Sequence, residues 1–135
     1  MTTSPFLPRF PIGFPLLTKP DANGTWAWPS LEQSVRDSLR AILMTRPGEW
    51  LLHRQRGVGL VDFLQRPNSA ETREELRDRI QKEVGLLEKR VTLDGVDVLP
   101  TGDRENEITI TLRYRILRTG VAASQTVTMN LAGGA

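Results

Sequence analysis

Glu49 and Glu88 are the residues whose chemistry would matter most. Cleavage of a glycosidic bond needs two carboxyl groups, one as general acid and one as base or nucleophile, held at a fixed separation across a cleft. Both glutamates stand beside turn signals, where carboxylates commonly cap backbone N–H groups or face water, and the chain has no insertion that would build a cleft. His53 is the only histidine, and cysteine is absent. That leaves no zinc ligand set, no thiol nucleophile and no disulfide. No nucleophile-elbow pattern surrounds any serine. No catalytic residue, metal or cofactor is expected. Glu88 and Arg90, flanking Lys89, offer a different chemistry. An acid and a guanidinium in that arrangement either close into a local ion pair at a helix end or reach a partner through directional, charge-assisted contacts. Trp50, Arg54 and Arg56, with Arg113 and Arg115, mix aromatic and basic character as nucleic-acid surfaces do, but Glu49, Asp62 and Glu107 dilute the charge.

At 135 residues the chain suits one domain with a modest core. Its hydrophobic content of 39% and charged content of 25% are those of an ordinary soluble globular protein. A net charge of +2 carries no argument for nucleic acid or membranes. Fifteen of the 18 basic residues are arginine, which suits planar contacts to carboxylates at interfaces or reflects a GC-rich genome. There is no run of about 18 apolar residues and no basic-then-apolar leader, so synthesis in the cytosol is expected.

Residues 1–29 read as an extended arm. Pro5, Pro8, Pro11 and Pro15 forbid a regular helix, while Phe6, Phe10, Phe14, Trp26 and Trp28 make the segment too aromatic for an ordinary disordered tail. A single domain is expected over 30–135. Ser30 with Gln33 fits a capping box, opening a helix in which Leu31, Val35, Leu39, Ile42 and Leu43 form the buried stripe. Pro47 ends it by about Thr45. Pro47-Gly48 sets a tight turn, Trp50 to His53 reads as a short extended piece, and Gly57 and Gly59 mark unusual backbone or close approach. Val61 to Leu64 reads as one helical or 3₁₀ turn.

A second helix follows from about Glu71, with Leu76, Ile80, Val84 and Leu87 on one stripe. Asn68, Ser69 and Thr72 are its candidate caps, Thr72 with Glu75 being the capping-box pair. Glu75–Arg79 and Asp78–Lys82 are favourable acid-before-base pairs. After Arg90 the period changes to two. Val91 and Leu93 begin a strand, Asp94-Gly95 is a turn or bulge, and Val96 and Val98 continue. Glu107 to Leu117 is the clearest strand, with Ile108, Ile110, Leu112, Tyr114 and Ile116 on one face and Glu107, Thr109, Thr111, Arg113 and Arg115 on the other. In a last strand, Gln125 to Leu131, Val127, Met129 and Leu131 alternate with Thr126, Thr128 and Asn130. The expected fold is α+β: two main helices packed on one face of a three-stranded antiparallel β-meander, with an extended N-terminal arm.

This order of parts resembles one family. A first helix running into a Thr-x-Pro-Gly-Glu turn, a Gly-x-Gly-Leu, then a second helix ending in a Glu-Pro-Arg-like triplet before three strands is similar to the small baseplate wedge subunit. That subunit belongs to contractile phage tails, type VI secretion systems and extracellular contractile injection particles. The matching residues are Leu43, Thr45, Pro47, Gly48, Glu49, Gly57, Gly59, Leu60, Glu88 and Arg90, and the resemblance spans roughly residues 30–131. Lys89 stands where the family usually has proline. The arm echoes the family's start only loosely, at Gly13, Phe14 and Pro15.

The resemblance implies an assembly role with no cofactor. The family's "lysozyme-like" label is not taken to mean activity. The implied partners are other wedge proteins, the sheath protein and the spike or inner-tube hub, with six copies per baseplate, no nucleic acid and no membrane insertion. Glu88 and Arg90, with Thr45, Pro47, Gly48 and Glu49, are the expected contacts to the wedge core; Gly57 and Gly59 are structural turns. Charge reversal at Arg90 is expected to block assembly without unfolding the subunit. Gln125, Thr126, Val127, Thr128, Met129, Asn130 and Leu131 form a last strand without charge or proline, hence a possible edge for strand addition by the sheath. The alternatives from other classes are a peptidoglycan-cleaving glycosidase and a nucleic-acid-binding module.

Overall fold

Ser30 starts the first helix as its spacing predicts. Its hydroxyl accepts the Gln33 N–H at 3.2 Å, and α1 runs from Leu31 to Met44. The capping box is only half formed, because the Gln33 side chain turns along the helix to Asp37 at 2.9 Å. The computed structural model describes residues 20, 22–25 and 29–131. The aromatic residues of the expected arm, Phe6, Phe10, Phe14, Trp26 and Trp28, and the echo at Gly13, Phe14 and Pro15, lie outside the described residues.

Leu31, Val35, Leu39, Ile42 and Leu43 are all buried, as an apolar stripe with helical period requires. Thr45 closes α1 by returning its N–H to Ala41 at 2.9 Å. A loop leads to a 3₁₀ turn, Leu60–Phe63, which buries Leu60 and Phe63. Trp50 to His53, expected to be extended, instead closes a turn in which the His53 N–H reaches the Trp50 carbonyl at 3.2 Å. No strand lies beside this segment among the described residues to pair with an extended piece.

The second helix, α2, spans Ala70–Leu87. Its cap is Ser69, whose hydroxyl accepts the Thr72 N–H at 3.1 Å. Thr72 therefore sits inside the first turn, buried, and the Thr72–Glu75 capping box does not form. Leu76, Ile80 and Val84 are fully buried and Leu87 partly so. Glu75 and Arg79 pair at 3.5 Å; among the described residues Asp78 faces Arg77 rather than Lys82.

Three strands follow, β1 Val91–Thr101, β2 Arg104–Ile116 and β3 Ala122–Asn130. They form an antiparallel sheet in the order β1-β2-β3. The expected irregularity at Asp94-Gly95 is a register shift between Leu93 and Gly95. On β2 the alternation is complete: Ile108, Ile110, Leu112, Tyr114 and Ile116 are all buried beneath the helices. Glu107 departs from the outward reading, being buried and bound to Arg104 at 2.7 Å. The last strand ends one residue earlier than expected. Leu131 follows it, fully buried, and donates its N–H to Asn106 at 2.6 Å. The expected α+β architecture, two helices on a three-stranded meander, is the one observed.

Candidate partner-binding sites

The Glu88–Arg90 corner is built where α2 hands over to β1. Glu88 caps α2 by returning its N–H to Val84 at 2.9 Å. The chain reverses at once, so the Arg90 N–H reaches the Glu88 carboxylate at 3.1 Å. The guanidinium closes the fork: Nε to Oε1 at 2.8 Å and Nη2 to Oε2 at 2.9 Å. Its third nitrogen, Nη1, donates to the Ser34 hydroxyl of α1 at 2.9 Å. Glu88 is 4% exposed, while the Arg90 side chain keeps 26% of its surface.

Burial pushes the Glu88 carboxyl up. The hydrogen bonds from the Arg90 side chain, Ser38 and the Arg90 backbone, with the Arg90 charge, outweigh it and hold the group below its ordinary value of 4.5. The Glu88 hydrogen bond in turn raises Arg90. The pair is thus an internal latch joining both helices to the sheet, and its outward remnant is one face of Arg90. Lys89, in place of the rigid proline, donates Nζ to the Gly85 carbonyl at 3.2 Å, satisfying a last-turn carbonyl as basic side chains do at helix C-termini.

The Thr45-to-Leu60 loop is tied down at both ends. Thr45 is partly buried, with its hydroxyl on Ala41 at 2.6 Å, while Pro47, Gly48 and Glu49 are exposed. The Glu49 carboxylate accepts the Arg46 N–H at 2.8 Å, and Arg46 pairs with Asp62 at 2.9 Å. The returning strand of the loop satisfies the end of α1, with Val58 N–H on Ile42 at 3.0 Å and Gly59 N–H on Thr45 at 2.9 Å. Gly57, at φ +111°, lies so close to α1 that a Cβ would strike the Thr45 carbonyl; Gly59, at φ +65°, meets Pro47 and Asp62. A side chain at either glycine would thus meet the end of α1 or the turn that follows it. A cleft of about 390 Å³ between this loop and α2 is lined by Pro47, Gln55, Gly57 and, on α2, Glu75, Asp78, Arg79, Lys82 and Glu83. Glu49 and Glu88 are not among its lining residues.

On β3, Ala123, Val127 and Met129 pack partly against the core. Thr126, Thr128 and Asn130 are exposed. Gln125 is half-buried, and its buried Oε1 has no hydrogen-bond partner among the described residues. Among the described residues β3 pairs only with β2, leaving its other edge open. The structure brings Glu88 and Arg90 together, keeps the loop residues at the end of α1, and sets β3 apart as a separate surface.

Three residues that hold these sites were not singled out from the sequence. Ser34 and Ser38 anchor the corner. The signal was a polar Ser34 within the buried stripe of α1. Glu83, also buried, accepts the Gly57 N–H at 3.1 Å and lies 3.8 Å from Arg56. It follows Ile80 by three residues on the apolar side of α2, which was its signal.

The family described as "Baseplate wedge protein gp25" matches residues 29–121. A crystal structure from Geobacter sulfurreducens, of a protein provisionally named a tail lysozyme, superposes with a TM-score of 0.69 at 23% identity, covering 82% of this chain and 100% of that one. The anti-feeding prophage baseplate, determined by cryo-electron microscopy with six-fold symmetry, contains a chain matching at TM-score 0.52 and 23% identity, over 84% of this chain and 78% of that one. At such identities the likeness is one of fold. No curated protein matches the sequence.

Proposed function

The chain belongs to the baseplate wedge protein gp25 family, so its role is a structural one in a baseplate, and from that premise we propose that it links wedge proteins to the sheath of a contractile injection machine and templates the first sheath ring by strand addition. The carrying observation is the difference between the two edges of the sheet. On β1 the edge is guarded by Asp94, Asp97 and Pro100 and broken by register shifts at Leu93/Gly95 and Pro100/Thr101, the devices that prevent pairing with another chain. On β3 the sequence from Ala122 to Asn130 has no charge, no proline and no register break. The family match ends at residue 121, so this part of the reading rests on the geometry of β3 itself.

In this reading residues 30–135 form the domain, residues 1–29 are an arm that staples a neighbouring subunit, and six copies surround the hub. Wedge proteins meet the exposed Pro47-Gly48-Glu49 turn and the open face of Arg90. The role is non-catalytic, which is supported by the use of both candidate carboxylates in holding backbone and guanidinium groups.

The test is a double substitution, Thr126→Lys with Thr128→Lys, at two exposed β3 positions. Subunit stability should change by no more than about 0.5 kcal/mol. Particles purified from the native host should retain the subunit and lose the sheath. Normal sheath on particles carrying the variant would overturn strand addition at β3.

A further inference from the structure

Most of the described arginines are spent internally on carboxylates or amides. Arg36, Arg40 and Arg54 are exposed and have no ion pair or hydrogen bond among the described residues. Their placement is not scattered. Arg36, Arg40 and Met44 recur every four residues, so they share one stripe of α1, on the side away from its buried residues. Met44 is 42% exposed at the C-terminal end of that stripe. There the loop leaves the helix and, through the Val58 and Gly59 N–H groups, returns to it.

The apex of that loop carries Leu51 and Leu52, 82% and 91% exposed, the two most exposed large hydrophobic residues described. They are held in position by successive turns, His53 N–H on Trp50 at 3.2 Å and Arg56 N–H on His53 at 3.0 Å, with Trp50 packed on the core. Two leucines held in water, the second two positions before the unpaired Arg54 and both on the loop that leaves the Met44 end of the arginine stripe, have the composition of an interface centre rather than of a solvated face. The turns that hold them lower the ordering cost of binding.

We propose that the outer stripe of α1 and the Leu51–Leu52 apex form a docking surface for an acidic amphipathic helix of another baseplate protein. Its carboxylates, one helical turn apart, would meet Arg36 and Arg40, and its apolar residues would cover Met44, Leu51 and Leu52. The counter-charge must come from elsewhere, because residues 1–19 contain no Asp or Glu and themselves add Arg9 and Lys19. Leucine and methionine at the centre favour a protein over a nucleic acid, whose bases would need exposed aromatic rings for stacking. This surface is separate from the β3 edge and from the Glu88–Arg90 corner. It rests on the baseplate role proposed above.

The absence of cysteine makes each introduced cysteine unique. Subunits carrying Arg36→Cys or Leu52→Cys, each labelled with a benzophenone maleimide, are incorporated into particles in the native host and photolysed. The crosslinked peptides are then sequenced. Crosslinks from both positions should fall on one helical segment of another particle protein bearing Asp or Glu at four-residue spacing. Arg36→Glu with Arg40→Glu should remain folded yet lose at least ten-fold in incorporation, and lysines at the crosslinked carboxylates should restore it. Crosslinks to nucleic acid or to this chain's own N-terminal residues would overturn the proposal, as would wild-type incorporation of the double reversal. If the unsubstituted subunit never enters particles, the baseplate role fails first and takes this surface with it. Incorporation that depends on β3 but not on Arg36 and Arg40 removes the docking surface alone.

Discussion

Glu88 and Arg90, expected as a partner contact, also bind one another and α1 within the fold. With four hydrogen bonds from Arg90 divided between Glu88 and Ser34, removal of the guanidinium leaves a buried carboxylate with its main partner gone. Arg90→Ala should cost about 2–4 kcal/mol in chemical denaturation, and an unchanged midpoint would show the pair to be dispensable to the fold. Charge reversal at Arg90, expected from sequence to spare the fold, places a second acid against a buried one and should destabilise still more. The pH dependence has a definite sign. Because the folded-state pKa of Glu88 is lowered, its contribution is complete above the unfolded value, near 4.5, and is lost as pH falls through the folded one. The stability gap between the native protein and Glu88→Gln should therefore be widest near neutral pH and close as the pH falls below the ordinary value of 4.5 and through the lowered one. A gap independent of pH would contradict the assignment.

The Gly57–Gly59 segment carries the same logic to an element. It replaces the missing next turn of α1, satisfying the carbonyls of Ile42 and Thr45, and it can lie that close only because Gly57 has no Cβ and adopts a positive φ. Gly57→Ala should cost about 2–3 kcal/mol, since the left-handed backbone and the backbone collision both oppose it. Thermal unfolding would measure this, and a neutral result would mean that the loop stands off α1. The glycines were legible as special positions, but not what they approach. The same division runs through the fold. Period and burial agree along α1 and β2 because one face of each is covered throughout, so local pattern and tertiary packing ask for the same residues. They part company where short segments have competing local solutions. Ser69 and Thr72 are both good caps three residues apart, and the tertiary bonds of the adjacent Asn68, to Glu105 at 2.7 Å and Arg73 at 2.7 Å, accompany the choice of Ser69. Trp50 to His53 has strand-like composition but pairs with no strand among the described residues. Ser34, Ser38 and Glu83 were missed because their partners lie far away in sequence, beyond any local signal.

For the whole molecule, the question raised first by Glu49 and Glu88 is whether any surface is arranged to break a glycosidic bond. A glycosidase needs one carboxyl kept protonated near neutral pH and a second ionised across a substrate cleft. Here Glu88 is shifted the wrong way for a general acid, downward, by hydrogen bonds that also occupy both of its oxygens. Glu49 is exposed and holds the Arg46 N–H. The cleft of about 390 Å³ beside α2 has its own acidic residues, Glu75, Asp78 and Glu83. Glu83 is buried and held by the Gly57 N–H, Glu75 is paired with Arg66 and Arg79, and Asp78 lies 3.8 Å from Arg77. The molecule turns Glu83 and Glu88 inward, to fasten the loop and the helices, and leaves outside an unguarded strand edge and an arginine- and leucine-bearing helix end. Purified protein added to a peptidoglycan suspension should therefore leave its turbidity at the buffer rate, with native, Glu49→Gln and Glu88→Gln chains indistinguishable. Clearing by the native chain that Glu49→Gln abolishes would make the chain an enzyme as well as a baseplate subunit, and would require the exposed Glu49 to find its second carboxyl in an assembled neighbour.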